Sequence, residues 1–494
     1  MFKPCWALCE KPWVEFSDAP EGHVLSAVAP VKFRIAPDGF PLDVVQGVQW
    51  DGVMIVTAGV RFGLVLGVAL VLALPPARGG ALEAYVSAPD THYAWRSVST
   101  RTTNGFSIFH LELTSQEWRG HTWTHHLQVV RPPTVRNKDV AFLFVTGDGT
   151  GTSSIPMLRT LAERAGALAA VVTRVPNQPL YDGRSEDALI AYTFDQFLKT
   201  GDQTWPLLFP MVKSAVRAMD TVQSLALKEW DQSVRQFVVS GASKRGWTTW
   251  LTAAADPRVV AIAPMVIDML NMKKQLEWAE KCYGRQSEQI HDYTELNLHL
   301  VQDDERVVQL RSWVDPYSYR QRYNLPKLLL LGTNDPYWTV DALRHYWDEL
   351  PEPKLIYQTP NAGHDLGDRK EAVQTLAAFF EMVADRQPLP KFSWKFKNGQ
   401  ETELAFDISA KPKATRLFTA DSPDRDFRND KWVNRTLEPA AGHSVVHIDS
   451  PSQGYRAYLT EVTLTDSTGH DYKLSTEARV VPDSFGQGNK ASSP

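Results

Sequence analysis

Cysteine is nearly absent from this 494-residue chain, and its three thiols, Cys5, Cys9 and Cys282, are too few and too scattered for a disulfide framework or a four-ligand zinc site. Charge of one sign is missing as well: 52 basic against 57 acidic residues leave a net charge of −5, without the basic excess of a nucleic-acid-binding surface. Glycine (29) and proline (32) are too sparse for a collagen-like or low-complexity chain. No long apolar run occurs. The longest, Phe62 to Leu74 (FGLVLGVALVLAL), would reach about 20 Å as a helix, short of a hydrocarbon core of roughly 30 Å. What is present is ordinary globular material, 43% hydrophobic and 22% charged, with no internal repeat, so folding rests on an apolar core.

That apolar run has informative flanks. Met54 precedes it, Arg61 abuts it, and Gly79-x-Ala81 follows Pro75-Pro76, which together read as the n-region, h-region and small-residue cleavage site of a secretory signal peptide over 54–81. Residues 1–53 are then an upstream extension, and the mature chain is exported, periplasmic or secreted. A signal anchor that spans from Gly52 to Leu74 with Arg61 tolerated remains the alternative. No cysteine stands at the expected cleavage site to carry a lipid.

Beyond Ala81 the chain alternates strand-like and helix-like segments. Val140 to Val145 is a continuous apolar strand closed by Gly147-Asp148-Gly149-Thr150-Gly151, and similar strands are expected at 167–172, 235–240, 259–266, 327–331 and 354–358, with helices at 155–165, 185–199, 206–228, 244–255, 340–349 and 368–384. This predicts an α/β domain over 82–387 with a mostly parallel sheet of the α/β-hydrolase type, preceded by antiparallel strands. The polar, helix-prone stretch 269–314 would form a cap over the carboxyl edge of the sheet. Short alternating strands after Pro388 predict a β-sandwich over 388–482, and 483–494 a loose tail.

Chemistry-bearing residues fall at the strand ends. Phe237 to Ser240 runs into Gly241-Ala242-Ser243-Lys244-Arg245-Gly246 and on into a helix, a strand-to-helix turn with Ser243 at its apex and small neighbours where a nucleophile elbow needs them. The next expected strands end in Gly332-Thr333-Asn334-Asp335-Pro336 and Asn361-Ala362-Gly363-His364-Asp365. Ser, Asp, His is the chain order of the α/β-hydrolase triad, with His364 as base and Asp335 orienting it. The backbone N–H groups of Lys244 and Gly149 are the expected oxyanion donors, although a carboxylate at Asp148 would oppose an oxyanion if it pointed inward. Trp247, Trp250, Trp278 and Trp338 lie near the site in sequence, and Trp247, Trp278 and Trp338 are the expected substrate contacts. His121, His125 and His126 lie on a strand pattern that separates i and i+4 by about 13 Å, so no metal site is expected. Asp421, Asp424, Asp426 and Asp430 lack the spacing of a calcium loop and read as a solvated loop. Asn434-Arg435-Thr436 is a glycosylation sequon, meaningful in a eukaryotic source.

The stretches Ser185-Glu186-Asp187-Ala188-Leu189-Ile190-Ala191-Tyr192-Thr193, Ser214 to Asp220, Ser240 to Trp250, Val266 to Met272, Asp315-Pro316-Tyr317-Ser318-Tyr319 and Gly332 to Pro336 resemble the PhoPQ-activated pathogenicity-related protein family from about Leu82 to Val481. The resemblance implies an exported α/β-hydrolase with a C-terminal β domain and places nucleophile, acid and base on Ser243, Asp335 and His364. The turn at Ser243 is also locally similar to that of glucuronoyl esterases, in the form G-x-S-[RK]-x-G. Two functions are carried forward. One is a cofactor-free serine hydrolase acting on a small-molecule or cell-envelope carboxylic ester, or an amide. The other is a catalytically silent binding or signalling protein on the same scaffold, meeting a surface partner through its C-terminal domain.

Overall fold

The computed structural model of the chain divides into two compact units, residues 1–79 and 80–494. The structure describes residues 80–298, 302–397 and 402–485, and in the first unit only the backbone of three antiparallel strands, β1 (Val45–Trp50), β2 (Val53–Ala58) and β3 (Leu70–Leu72), in the order β1-β2-β3. The expected extension and signal peptide fall outside the described residues, apart from these strands and Gly80 and Ala81. The second unit opens with a short helix, Ala81–Ser87, whose Leu82 is fully buried.

A nine-stranded sheet organises this unit: β4 (Ala94–Thr103), β5 (Phe106–Trp118), β6 (His121–Arg131), β7 (Val140–Val145), β8 (Leu168–Val172), β9 (Gln236–Ala242), β10 (Val259–Met265), β11 (Lys327–Gly332) and β12 (Lys354–Thr359). Their order is β12-β11-β10-β9-β7-β8-β6-β5-β4, parallel from β12 to β8 and antiparallel from β8 to β4. The β4–β5 hairpin closes on Asn104 (φ 49°) and Gly105 (φ 77°), the two positive φ values of the turn that matches strand twist. The parallel strands are apolar throughout because both faces are covered. Leu143, Leu329 and Leu331 point into one core with helices Glu186–Thr200, Leu208–Trp230 and Lys244–Ala255. Phe142, Leu328 and Leu330 point into the other with helices Ile155–Ala165 and Lys370–Ala384. This is the α/β-hydrolase arrangement, with the parallel strands delivering their carboxyl ends to one edge.

The segment after β10 is helical as expected, with helices Met272–Tyr283, His291–Thr294 and Glu305–Val314. The expected helix at 340–349 is instead two 3-10 turns, Ala342–His345 and Trp347–Glu349. Its buried Ala342, Leu343, Tyr346 and Trp347 produced the helical spacing, but Tyr346 (φ −153°) breaks the run and donates its hydroxyl to Asp268 at 2.6 Å. Tertiary bonds outweigh a weak local preference here.

The C-terminal strands β13 (Phe392–Lys397), β14 (Thr402–Ile408), β15 (Ala414–Ser422), β16 (Val433–Leu437), β17 (Gly442–Ile448), β18 (Tyr455–Thr465), β19 (Asp471–Ser475) and β20 (Arg479–Val481) form two antiparallel sheets, β13-β14-β17 and β16-β15-β18-β19, with β20 also on β18. Leu404, Phe406, Tyr458 and Val462 join the second core beside Leu376 and Phe380, so these sheets share their interior with the α/β layer. Buried Arg164 reinforces the seam by pairing with Glu381 at 3.0 Å and with Asp466. Among the described residues no helix is long and apolar enough to cross a membrane.

Candidate active site

The elbow is built by steric necessity. Ser243 sits between β9 and helix Lys244–Ala255 at φ 57°, ψ −127°, a conformation that L-residues rarely adopt. A Cβ on Gly241 would stand 2.6 Å from the Arg245 carbonyl oxygen, and one on Gly246 would stand 2.7 Å from Ile267 Cγ2. Both positions therefore have to be glycine for the helix to close against β9 and β10. The helix is buried on nearly every side, and Thr248, Thr249 and Thr252 satisfy their hydroxyls by donating to the carbonyls four residues back. Ser243 N–H donates to Met265 O at 2.9 Å, tying the apex to the end of β10.

Asp335 lies just beyond β11, 5% exposed, and takes the Tyr337 N–H on Oδ1 at 3.0 Å. Its Oδ2 is 2.8 Å from His364 Nδ1, beyond β12. A carboxylate oxygen accepts, so Nδ1 carries the ring proton and Nε2 presents a lone pair. That Nε2 is buried without a hydrogen-bond partner. The structure thus brings Asp335 and His364 together, and it makes no bond between His364 Nε2 and the Ser243 hydroxyl. Tyr337, which sequence reasoning missed, packs on the imidazole with ring centroids 4.2 Å apart, and burial followed by the nearby carboxylates pushes its phenol up to about 12.

Ser243 opens onto a cavity of about 80 Å³ walled mainly by Trp247, Ile267, Met272, Leu276, Ile290 and Trp338. Several of these come from the expected cap segment. The polar members of the wall are paired: Lys244 Nζ lies 2.9 Å from Asp187 Oδ2 and 2.8 Å from Glu186 Oε2, and the Tyr293 hydroxyl donates to Asp187 Oδ1 at 3.0 Å. Arg245 reaches both Glu186 oxygens at 2.6 Å. Burial disfavours the Glu186 charge, but the Arg245 and Lys244 bonds outweigh it and hold the carboxyl down at about 2. Behind Asp335 lies Asp268, 4% exposed, whose carboxyl is pushed up to about 8 by burial against the stabilising bond from Tyr346, with Asp335, Glu477 and Asp341 adding repulsion.

Of the expected substrate contacts, Trp247 and Trp338 line the cavity. Trp278 does not: its indole N–H needs an acceptor and finds Asp341 Oδ1 at 2.9 Å, and its ring packs on His345 and Phe485. Trp250 is fully buried against Tyr323. Of the expected oxyanion donors, Lys244 opens the helix, where its N–H has no intrahelical acceptor. Gly149 is exposed, and its carbonyl accepts from Thr173 Oγ1 at 2.7 Å. The residue of that loop lying against the elbow is Gly147, where a Cβ would sit 2.6 Å from Arg245 Nη2. Asp148 is exposed and accepts from Gln178 at 3.3 Å. The three histidines take separate partners, His121 against Tyr181, His125 bonded to Ser115 and His126 to His110. No group of three or more possible metal ligands occurs among the described residues.

Among proteins of known name, "Autocrine proliferation repressor protein A" of Dictyostelium discoideum is 30% identical over 451 residues, covering 82% of this chain and 91% of its own. Solved structures of similar outline include an acetyl xylan esterase from Paenibacillus sp. R4 (14% identity, TM-score 0.43, 60% of this chain and 91% of that one). A glucuronoyl esterase from Solibacter usitatus is a further one (13% identity, TM-score 0.37, 62% of this chain and 91% of that one). Residues 82–428 match the family of PhoPQ-activated pathogenicity-related proteins, and with that span covering well over half of the chain, the chain belongs to this family.

Proposed function

We propose that the protein is an exported serine hydrolase that cleaves a carboxylic ester through an acyl-enzyme on Ser243. The observation that carries this reading is the unpartnered Nε2 of His364, held by Asp335 on its other nitrogen, at the sheet edge where the strained Ser243 opens onto an apolar cavity. In the proposed reaction His364 Nε2 takes the Ser243 hydroxyl proton as Oγ attacks the ester carbonyl carbon. The imidazolium, stabilised by Asp335, returns that proton to the departing alkoxide as the C–O bond breaks. Water then attacks the acyl-enzyme by the same relay and releases the acid. The Lys244 N–H and an N–H of the Gly147–Gly149 loop are the proposed oxyanion donors. The apolar wall suits an uncharged acyl group of short to medium length, and no cofactor enters the scheme.

Labelling with a fluorophosphonate probe tests the assignment. Wild-type protein should be modified at Ser243, and Ser243→Ala should not. Absence of wild-type labelling, together with no turnover of an ester panel, refutes it. That outcome favours a binding or signalling protein on a hydrolase scaffold, a reading to which the repressor name of the Dictyostelium relative gives weight. Export from Met54 with maturation near Leu82 is supported by the boundary between the two compact units, which falls between Gly79 and Gly80. Mass spectrometry of the exported chain checks it, and peptides from residues 1–53 would overturn it.

A further inference from the structure

The loop between β15 and β16, read from sequence as a solvated acidic loop, bonds directly to the segments that carry Asp335 and His364. Phe427 and Trp432, 1% and 2% exposed, anchor it in a small core with Phe418, Tyr455 and Leu459. Its backbone faces the other way. The Asn334 side-chain amide donates to three carbonyls of this loop, Phe427 O at 3.1 Å, Arg428 O at 3.3 Å and Asp430 O at 2.8 Å. Asn361, at φ 57°, donates to Trp432 O at 2.9 Å and accepts the Trp432 N–H at 2.8 Å. Asn334 immediately precedes Asp335, and Asn361 stands three residues before His364.

The two segments are also joined to each other. Asn334 N–H donates to Ala362 O at 2.9 Å, Asn361 N–H to Thr333 Oγ1 at 2.9 Å, and Thr333 Oγ1 to Asn334 Oδ1 at 2.8 Å. A Cβ on Gly332 would lie 2.4 Å from both Ala362 O and Gly363 O, so the segments pass with no room between them. The same loop grips the cap. Arg428 bonds Glu288 at 3.1 Å and covers the Tyr283 ring at 4.3 Å, and buried Arg425 bonds Asp341 at 3.0 Å, the carboxylate that holds Trp278.

We propose that the loop 423–432 is a positioning element of the active site, with Asn334 and Asn361 as the positioning residues through which the C-terminal domain sets the Asp335–His364 pair. This rests on the hydrolase reading for its catalytic consequence. Two groups on separate loops hold a 2.8 Å bond when the loops are fixed to one another, and here their direct bonds are reinforced by a reference that both share, the backbone of a third segment. Loss of it displaces the imidazole from the Ser243 hydroxyl, and a misplacement of about 1 Å can cost on the order of 100-fold in rate.

The test uses the full chain with Asn361→Gly, which removes both bonds while tolerating the positive φ, and Asn334→Ala as an independent second variant. Arg456→Ala, which removes an exposed ion pair with Asp421 in the same sheet, is the control. Each positioning variant is expected to lower kcat on a small activated ester about 10- to 100-fold with KM held within about twofold. Each should also move the downfield NMR resonance of the His364 Nδ1 proton, and the control should do neither. Asn361→Asp, which can accept from Trp432 but not donate to it, should fall between. Variants that keep kcat within twofold and leave the resonance in place overturn the proposal. So does a loss of kcat that only tracks the folded fraction while the resonance of folded protein stays put. If the wild type neither labels nor turns over an ester, the hydrolase reading fails, and the resonance still decides whether the loop positions His364.

Discussion

Replacing Ser243 by glycine should leave the protein more stable than replacing it by alanine, although both abolish activity, and the difference isolates the strain at the elbow. At φ 57°, ψ −127° a Cβ meets the steric penalty of a sparsely populated backbone region, about 1–3 kcal/mol. Alanine keeps that Cβ and therefore keeps the penalty. Glycine removes it and loses about 0.5–1 kcal/mol through the greater entropy of its unfolded chain. Because the Ser243 hydroxyl lies at a half-buried position, its loss is common to both variants and cancels in the comparison. Ser243→Gly should then exceed Ser243→Ala by about 0.5–2 kcal/mol. Equilibrium urea unfolding reads this as a higher midpoint at constant slope, and thermal unfolding as a rise of roughly 1–3 °C in Tm, given the unfolding entropy of a unit of this size. Both variants should fail to react with a fluorophosphonate. A glycine variant no more stable than the alanine variant refutes the argument that strain is stored at the elbow.

The other expected outcomes are more direct. Asp335→Asn should lower kcat about 10⁴-fold by releasing the imidazole tautomer, measured on a good ester, and unaltered kcat would hand the orienting role to another carboxylate. Leu276→Trp should fill the cavity, so that kcat/KM along a p-nitrophenyl ester series falls by about 1–3 kcal/mol per methylene beyond the shortest chains, and an unchanged series would place the acyl group elsewhere. Asp268 ionises near 4 when unfolded and at about 8 when folded, so between these values the folded state keeps a proton that the unfolded state has lost. Its contribution is full below pH 4 and declines by about 1.4 kcal/mol per pH unit up to pH 8, and Asp268→Asn should lack that decline in urea unfolding across the window. Asp341→Leu should cost about 3–5 kcal/mol by removing the buried carboxylate that Arg425, Arg344 and the Trp278 indole share, and a cost under 1 kcal/mol would show that Asp483 and the Pro482 carbonyl suffice.

How much of this could be read from the sequence depends on what kind of group does the work. The parallel strands were legible because Phe142, Leu143, Leu328 and Leu329 must each be apolar to fill two cores, and that requirement is written in residue type. The strand-end placement of Ser243, Asp335 and His364 was legible because each follows such an apolar strand, and Gly241 and Gly246 because no other residue fits. Trp278 misled for a physical reason: an aromatic ring near a site in sequence reads as a wall, but the indole N–H had to be satisfied, and Asp341 drew it aside. The segment 340–349 misled in the same way, since buried residues at helical spacing also fit two 3-10 turns once Tyr346 is pulled to Asp268.

The loop 423–432 was illegible on different grounds. The groups that meet Asn334 and Asn361 are the carbonyls of Phe427, Arg428, Asp430 and Trp432 and one N–H, atoms that nearly every residue carries, so no motif could announce them. Its aspartates, which did attract notice, make local bonds instead: Asp426 pairs with Arg428, and Asp424 accepts the Asp426 N–H. What the sequence offered was therefore the wrong half of the loop. The half that matters is legible only from Asn334 and Asn361, two short amides beside the acid and the base, each able to donate and accept where an Asp, Ser or Ala could not do both across the same gap. A side-chain amide at a strand end, next to a proposed acid or base and donating outside its own loop, is thus the signal to follow when asking which distant backbone the site is built upon.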